Sequence, residues 1–285
     1  MHICTITDSP KSYASQKLAE EAHANNIKLT FAPWKTLSFT KDAILLKKKV
    51  PLKNFDAVIL RSSKSSLTPT ILIVEYCKHN NIRLLNEKFY LRYQTVNKLR
   101  QQFIFQLNKI PCLKTSYSED TSFSFLKKEL GLPFIAKFAN RSLGRQVFKI
   151  TSKEEFEQFI KRQKGSKQLC LFQKFYPAGI DYRVFIVGER AFGPVRRLAP
   201  KGEWKTNMHG SSHQRAEEEK RVVELAKLFL EKTDIEFAGL DILVDSSGKA
   251  RLIEINTMAC FSVFDEVFPE INIAKKTIEL LKRSY

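Results

Sequence analysis

Long apolar runs are absent. No stretch of the 285 residues approaches the length of a membrane-spanning helix, and residues 1–8 are too short and too soon interrupted for a signal peptide. Both absences imply a cytoplasmic protein with no membrane partner. Cysteine is sparse: Cys4, Cys77, Cys112, Cys170 and Cys260 are odd in number, scattered and free of any C-x-x-C pair, as expected of buried thiols in a reducing compartment. Missing motifs narrow the chemistry. No G-x-G-x-x-G follows the first strand-like run, so a Rossmann dinucleotide site is not indicated. No G-x-S-x-G, H-E-x-x-H or Cys–His context supports nucleophilic or zinc hydrolysis. His209 and His213 have helical spacing but sit in a loop-like segment without a third ligand. No internal repeat or low-complexity tail occurs. No RNP-like run gathers aromatic rings on one strand, so the 22 phenylalanines read as core rather than as a base-stacking platform.

Acidic residues are also in short supply, 30 Asp and Glu against 48 Lys and Arg, for a formal net charge of +18. That balance favours anionic partners, and coding bias towards lysine would produce it equally well. The excess is spread through folded segments rather than held in a tail. The length suffices for one large domain or two modest ones.

Strand–helix alternation opens the chain. Strands are expected at 2–7, 27–34, 56–61 and 82–85, with helices at 11–24 and 68–81, which makes a small parallel α/β unit. Residues 34–54 read as an irregular basic excursion. Arg61-Ser62-Ser63 lies just past a strand's carboxyl end, where open α/β sheets place ligands, although a solvated loop has the same signature. Residues 87–108 read as one helix, and a change of region follows at Ile110-Pro111. Beyond it, strands are expected at 112–116, 134–138, 147–150, 169–176, 182–187, 190–198 and 202–206. Helices are expected at 122–130, from a Ser152/Glu155 capping box to 162, at 216–232 and at 270–283. The second part is therefore α+β.

Residues 239–256, G-L-D-I-L-V-D-S-S-G-K-A-R-L-I-E-I-N, read as two strands joined at Asp245-Ser246-Ser247-Gly248. Glu254 and Asn256 leave the second strand on one face, and Asp241 can join them if the strands pair. Two carboxylates and a carboxamide form an all-oxygen set suited to Mg²⁺, with too few ligands to hold it unaided. An ordinary edge hairpin shares the same spacing. Lys137 interrupts the apolar run P-F-I-A-K-F, and Asp181 and Arg183 share a strand face in D-Y-R-V-F. Together with Lys98 they can supply charge around a polyphosphate.

From about Lys98 onward the chain resembles the RimK-like branch of the ATP-grasp ligases. The matching pieces are N-K-L-R ending at Arg100, P-F-I-A-K ending at Lys137, Q-K-F-Y ending at Tyr176 and D-Y-R-V-F-I-V-G ending at Gly188. K-T-N-M-H ending at His209, G-L-D-I-L ending at Leu243 and E-I-N ending at Asn256 complete the series. The resemblance implies an α/β pre-ATP-grasp domain at 1–88 and an α+β ATP-grasp domain at 89–285. Its nucleotide cleft would lie between a lid at about 112–172 and a C-terminal lobe at 173–285. It implies that Lys98 and Lys137 contact nucleotide phosphates, that Gln173, Lys174, Phe175 and Tyr176 form the inter-lobe strand that reads adenine, and that Asp181 contacts the nucleotide. Arg183 and Asn207 would face the transferring phosphoryl and acyl groups, and Asp241, Glu254 and Asn256 would hold Mg²⁺, or Mn²⁺ in its place. The implied chemistry activates a carboxylate with ATP as an acyl-phosphate, which an amine then attacks to give an amide.

The sequence departs from the family pattern in the loop after Lys137, whose only glycine is Gly144 and where Arg141 and Arg145 can offer charge instead. Lys174 replaces the usual acidic residue, and T-M-A-C-F follows E-I-N, similar to the carrier-protein ligases of lysine and arginine biosynthesis. The partners expected are an amino acid or carboxylate substrate and an acidic protein, carrier or peptide acceptor, docked by residues such as Arg196, Arg197 and Lys201. A homo-oligomer is compatible with the sequence. Two other classes fit parts of the pattern: a catalytically degenerate nucleotide-binding ATP-grasp protein, and a basic nucleic-acid-associated protein supported only by charge.

Overall fold

Near-continuous apolar runs set the N-terminal sheet. In the computed structural model, β1 (His2–Ile6), β2 (Lys28–Ala32), β6 (Ala57–Leu60) and β7 (Arg83–Leu84) pair in parallel in the order β2-β1-β6-β7. The residues described are 1–61, 67–94, 97–117, 121–138, 147–163, 169–177, 179–206 and 210–283. Helices α1 (Tyr13–Ala24) and α2 (Leu67–His79) connect the strands as expected. The stretch at 34–54 is not irregular. It holds a three-stranded antiparallel sheet, β3 (Leu37–Phe39), β4 (Ile44–Leu46) and β5 (Val50–Pro51), whose Ile44 and Leu46 are buried together with the neighbouring Leu52. Strands this short carry too little alternation to be recognised in sequence.

The expected single helix at 87–108 is two helices, α3 (Glu87–Tyr93) and α4 (Lys98–Leu107), with Gln94 between them at φ +62°. That backbone conformation cannot continue a helix. The break lets α4 begin afresh, capped by the Asn97 side chain, which accepts from Arg100 N at 2.8 Å.

The middle of the chain builds its own core. Strands β8 (Thr115–Ser116), β9 (Phe134–Phe138), β10 (Val147–Ile150) and β11 (Cys170–Lys174) form an antiparallel sheet in the order β10-β9-β11-β8. Helices α5 (Phe123–Leu130) and α6 (Lys153–Gln163) cover it. Its core includes Phe134, Phe138, Phe156, Phe159 and Phe172, and its described members all lie between 123 and 172. At the start of α6, Ser152 Oγ accepts from Glu155 N as expected, but the Glu155 carboxylate returns to Thr151 N at 2.7 Å.

The C-terminal sheet is fully antiparallel. Its strands are β12 (Ile180–Val187), β13 (Arg190–Leu198), β14 (Ser212–Arg215), β15 (Phe237–Val244) and β16 (Ala250–Asn256), in the order β14-β13-β12-β15-β16. The edge strand is β14, not the expected 202–206, which is turn and irregular structure. Helix α7 (Lys220–Lys232) packs Val222, Leu225, Ala226 and Phe229 on one face of the sheet. Helices α8 (Ser262–Val267), which the sequence reading missed, and α9 (Ile273–Lys282) cover part of the other. Both of the larger cores mix residues of the N-terminal unit with this lobe. Asn86 reinforces the join: its Oδ1 accepts from Glu236 N and Phe237 N, while its Nδ2 donates to Phe237 O. No described helix is long and apolar enough to cross a membrane.

Candidate active site

The site exists because the apolar pattern on one face of the C-terminal sheet stops part-way along the strands. On β12, Phe185 and Val187 lie beneath α8 and α9, and Arg183 and Asp181 continue that row at period two. Likewise β13 passes from Phe192 and Val195 to Arg197, and β15 from Phe237 to Asp241. Strand register sets these charges side by side: Asp181 opposite Arg197, Arg183 opposite Asp241, and Asp241 opposite Glu254.

The charged groups form an alternating chain. Arg183 Nε and Nη2 donate to Asp241 Oδ1 and Oδ2 at 2.6 and 3.0 Å. Arg197 Nη2 lies 2.8 Å from the same Oδ1, and its Nε donates to Asp181 Oδ1 at 2.5 Å. Thr206 Oγ1 closes the row on Asp181 Oδ2. Burial alone would raise the Asp241 pKa, but Arg183 and Arg197 outweigh it and hold the carboxyl below its usual range. At Asp181 burial dominates over the opposing pull of Arg197, and its pKa is raised. Burial would lower the Arg197 pKa, yet Asp241 and Asp181 together raise it. Space for the Arg183 guanidinium comes from Gly239, where a Cβ would stand 2.9 Å from Arg183 Nη1 and 2.7 Å from the Ala259 Cβ.

Helix α4 brings the next cation. The Gln101 carboxamide pairs with the β16 backbone, donating to Ile255 O at 2.9 Å and accepting from Ile255 N at 3.0 Å. This clamp fixes the first turn of α4 beside β16, where Lys98 Nζ donates to Glu254 Oε2 at 2.5 Å. Lys137 reaches the same region from β9. Burial lowers its pKa to about 8, Lys98 adds to the fall, and Glu254 and Asp241 offset it only in part. Asp241, Glu254 and Asn256 Oδ1, which accepts from Met258 N at 2.9 Å, present oxygen donors only. Among the described residues no cluster of three or more His, Cys, Asp and Glu is placed to hold a metal ion. The two carboxylates and one carboxamide therefore fit a hard cation as a partial shell that phosphate oxygens and water would complete.

Strand β11 belongs to the middle sheet, and the residues after it lead into β12 of this lobe. Gln173 is buried, its Nε2 donates to Thr115 Oγ1 at 2.9 Å, and its Oε1 has no hydrogen-bond partner among the described residues. Lys174 is exposed with its ammonium 5.8 Å from the Tyr176 ring centroid, and Phe175 meets Trp204 edge-on at 5.6 Å. A buried carboxamide oxygen left open at this junction suits a ligand that carries N–H donors.

Residues 95–281 match the family model described as the RimK-like ATP-grasp domain. The chain belongs to that family. A relative named "Probable alpha-L-glutamate ligase" from Legionella pneumophila (strain Corby) is 23% identical over 99% of this chain and 96% of that protein. By fold, a RimK domain protein ATP-grasp from Sphaerobacter thermophilus DSM 20745 aligns with TM-score 0.73 at 14% identity, covering 99% of this chain and 100% of that one. ATP-grasp ligase PsnB complexed with minimal precursor, Mg and ADP aligns with TM-score 0.71 at 17% identity, covering 99% and 96%. The α/β unit followed by an α+β ATP-grasp fold is thus the architecture of this RimK-like chain.

Within it, Lys98, Arg183, Asp241 and Glu254 are joined by direct ion pairs, and Lys137 lies within their electrostatic reach. Asp181 is held by Arg197 and Thr206, and Arg197 links it to Asp241. Asn207, His209, Arg141, Gly144 and Arg145 lie outside the described residues. One assignment changes. Arg197 is no docking residue on the surface: it is 8% exposed and bridges two carboxylates inside the site. The signal was Gly193-Pro194 within a strand pattern, which marks a bulge that re-aims the side chains beyond it.

Proposed function

We propose that this protein is an ATP- and Mg²⁺-dependent carboxylate–amine ligase that forms an amide bond through an acyl-phosphate. The observation that carries the reading is the convergence of Asp241, Glu254, Lys98, Lys137, Arg183 and Arg197 between the C-terminal sheet and β9, each carboxylate matched to a cation. Such a set exchanges readily for a metal–triphosphate, because carboxylates released from their ion pairs face a cation while the freed Lys and Arg groups face phosphate oxygens. The relative named for glutamate ligation and the fold neighbour seen with Mg and ADP support the same reading.

Lys98 and Lys137 bind the phosphates, and Gln173–Tyr176 seats the base. Asp241, Glu254 and Asn256 would hold Mg²⁺, or Mn²⁺ in its place, which neutralises phosphate charge when bound. A substrate carboxylate oxygen attacks the γ-phosphorus and ADP leaves. The amine then attacks the acyl carbon, loses a proton and expels phosphate. Arg183, held flat against β15 by Asp241, is positioned to meet the charge of the transferring group. In this reading Asn207 would orient the acyl oxygen. Positioning in a site that excludes water supplies the rate enhancement. The acceptor is an acidic protein, carrier or peptide, because nucleotide binding uses only a few of the excess cations behind the net charge of +18.

The test is a screen of ADP formation across amino acids with acidic peptide and carrier acceptors. Glu254→Gln removes a charge with little change of shape and should lower ADP formation by ~10²-fold or more while the thermal melt stays cooperative. Near wild-type turnover in that variant contradicts the metal assignment. Tight nucleotide binding without acceptor-dependent ADP release would instead mark a nucleotide-binding protein.

A further inference from the structure

The Arg61 guanidinium is braced by backbone just past E-I-N and forms no ion pair with a described carboxylate. It stands one residue past β6, at the carboxyl end of the parallel sheet, where α/β folds gather ligands. Its backbone N–H donates to Ile6 O at 2.8 Å, continuing the pairing with β1. Its Nη2 donates to both Met258 O and Ala259 O at 3.2 Å. These carbonyls belong to the segment that leaves E-I-N: Met258 N donates to Asn256 Oδ1, and the Ala259 Cβ faces Gly239 beside the Arg183 guanidinium. Arg61 is thereby tied to the backbone that carries the candidate metal ligands.

Arg61 is half-buried and makes no ion pair with any described carboxylate. Burial lowers its pKa to about 10, which leaves it charged at neutral pH. Asp265, on the helix that follows the segment, accepts from Tyr13 at 2.9 Å rather than from Arg61. Tyr90 packs nearby and is itself buried. Among the described residues, two carbonyls occupy one nitrogen of a guanidinium that has donors on three, and the remaining donors form a fork suited to a planar carboxylate. Arg183 and Arg197, by contrast, have carboxylate partners from their own sheet. A half-buried arginine braced by backbone and lacking an anion is poised for one delivered from outside.

We propose that Arg61 binds a carboxylate of the amino-acid substrate that is not itself phosphorylated, so that the N-terminal α/β unit sets the orientation and selectivity of that substrate. The proposal rests on the ligase reading for the identity of the ligand. It makes Arg61 a substrate-positioning residue for the amide-forming step, fixed in place by the same backbone that holds Asn256. Substrates without a free carboxylate would leave the guanidinium unpaired and bind poorly.

Calorimetry with L-glutamate as the probe, in saturating ADP and Mg²⁺, tests it without requiring turnover. Wild-type protein should bind L-glutamate about 30-fold more tightly than one of its two monoamides, isoglutamine or glutamine, the weaker of the two identifying which carboxylate is held. In Arg61→Met that preference should vanish while ADP affinity stays within about twofold, and Arg61→Lys should recover part of it. Equal binding of L-glutamate and both monoamides by the wild type would overturn the proposal, as would an unchanged preference in Arg61→Met or no L-glutamate binding at all. The wild-type comparison decides the matter even where Arg61→Met fails to fold. Absence of ADP formation in the separate turnover screen would count against the ligase reading alone.

Discussion

Replacing Lys137 by Met should stabilise the ligand-free protein and cripple nucleotide binding, and the structure sets the scale of both effects. Burial and the neighbouring Lys98 bring the Lys137 pKa from the ordinary lysine range to about 8. A lysine whose folded-state pKa lies below its unfolded value destabilises the fold wherever both states are protonated, here below pH 8. The penalty fades as pH climbs from about 8 towards the unfolded value of ~10.4, above which neither state is charged. At about 1.4 kcal/mol per pH unit, the cost at pH 7 is at most about 3 kcal/mol, and residual water around the partly accessible side chain trims it. Lys137→Met removes the cost at similar volume. Denaturant melts at pH 7 should therefore show a gain of ~1–3 kcal/mol that shrinks to nothing near pH 10. Nucleotide binding answers in the opposite sense. Phosphates favour the protonated lysine, so wild-type protein takes up a proton with ADP above pH 8. Its Kd should rise by up to about tenfold per pH unit from there, whereas the variant binds weakly at every pH. Calorimetric titrations from pH 7 to 9.5 in two buffers read both the affinity and the proton uptake. A Kd flat across that range, together with no gain of stability in Lys137→Met at pH 7, would refute the argument.

Three other outcomes follow from the geometry. Arg197→Met leaves Asp181 and Asp241 facing each other without their shared cation and should cost ~3–5 kcal/mol in denaturant melts. A loss under ~1 kcal/mol would show that the bridge is dispensable. Gly239→Ala drives a Cβ into the Ala259 side chain and Arg183, so turnover should fall by tenfold or more with ~1–3 kcal/mol of destabilisation, and a fully active variant would argue against the placement of Arg183. For an acidic acceptor, KM should rise several-fold between 50 and 300 mM salt while the KM for ATP changes much less, because exposed attraction is screened first. A salt-insensitive acceptor KM returns the charge of +18 to coding bias.

Local chemistry was legible wherever a side chain's neighbours in sequence fixed its surroundings. Strands 134–138, 147–150 and 190–198 stand where their patterns place them. The ordered motifs gave the fold, and period-two spacing paired Asp181 with Arg183 and Glu254 with Asn256. Faces across strands were another matter, because a single bulge reverses them. Counting back from the Val187–Arg190 turn without interruption puts Arg196 opposite Asp181. The irregularity between Arg183 and Phe185, with Gly193-Pro194 on the facing strand, shifts the register so that Arg197 occupies that place. The β15–β16 hairpin behaves the same way. Pairing from Val244 and Ala250 extrapolates to Ile253 opposite Asp241, and the shift after Ile242 brings Glu254 there instead. Leu252 and Ile255 then both reach the core while the Glu254 carboxylate meets Lys98. Period-two spacing determined that cations and carboxylates would share strand faces. Two one-residue shifts, stabilised by packing on both sides of the sheet, decided which of them meet.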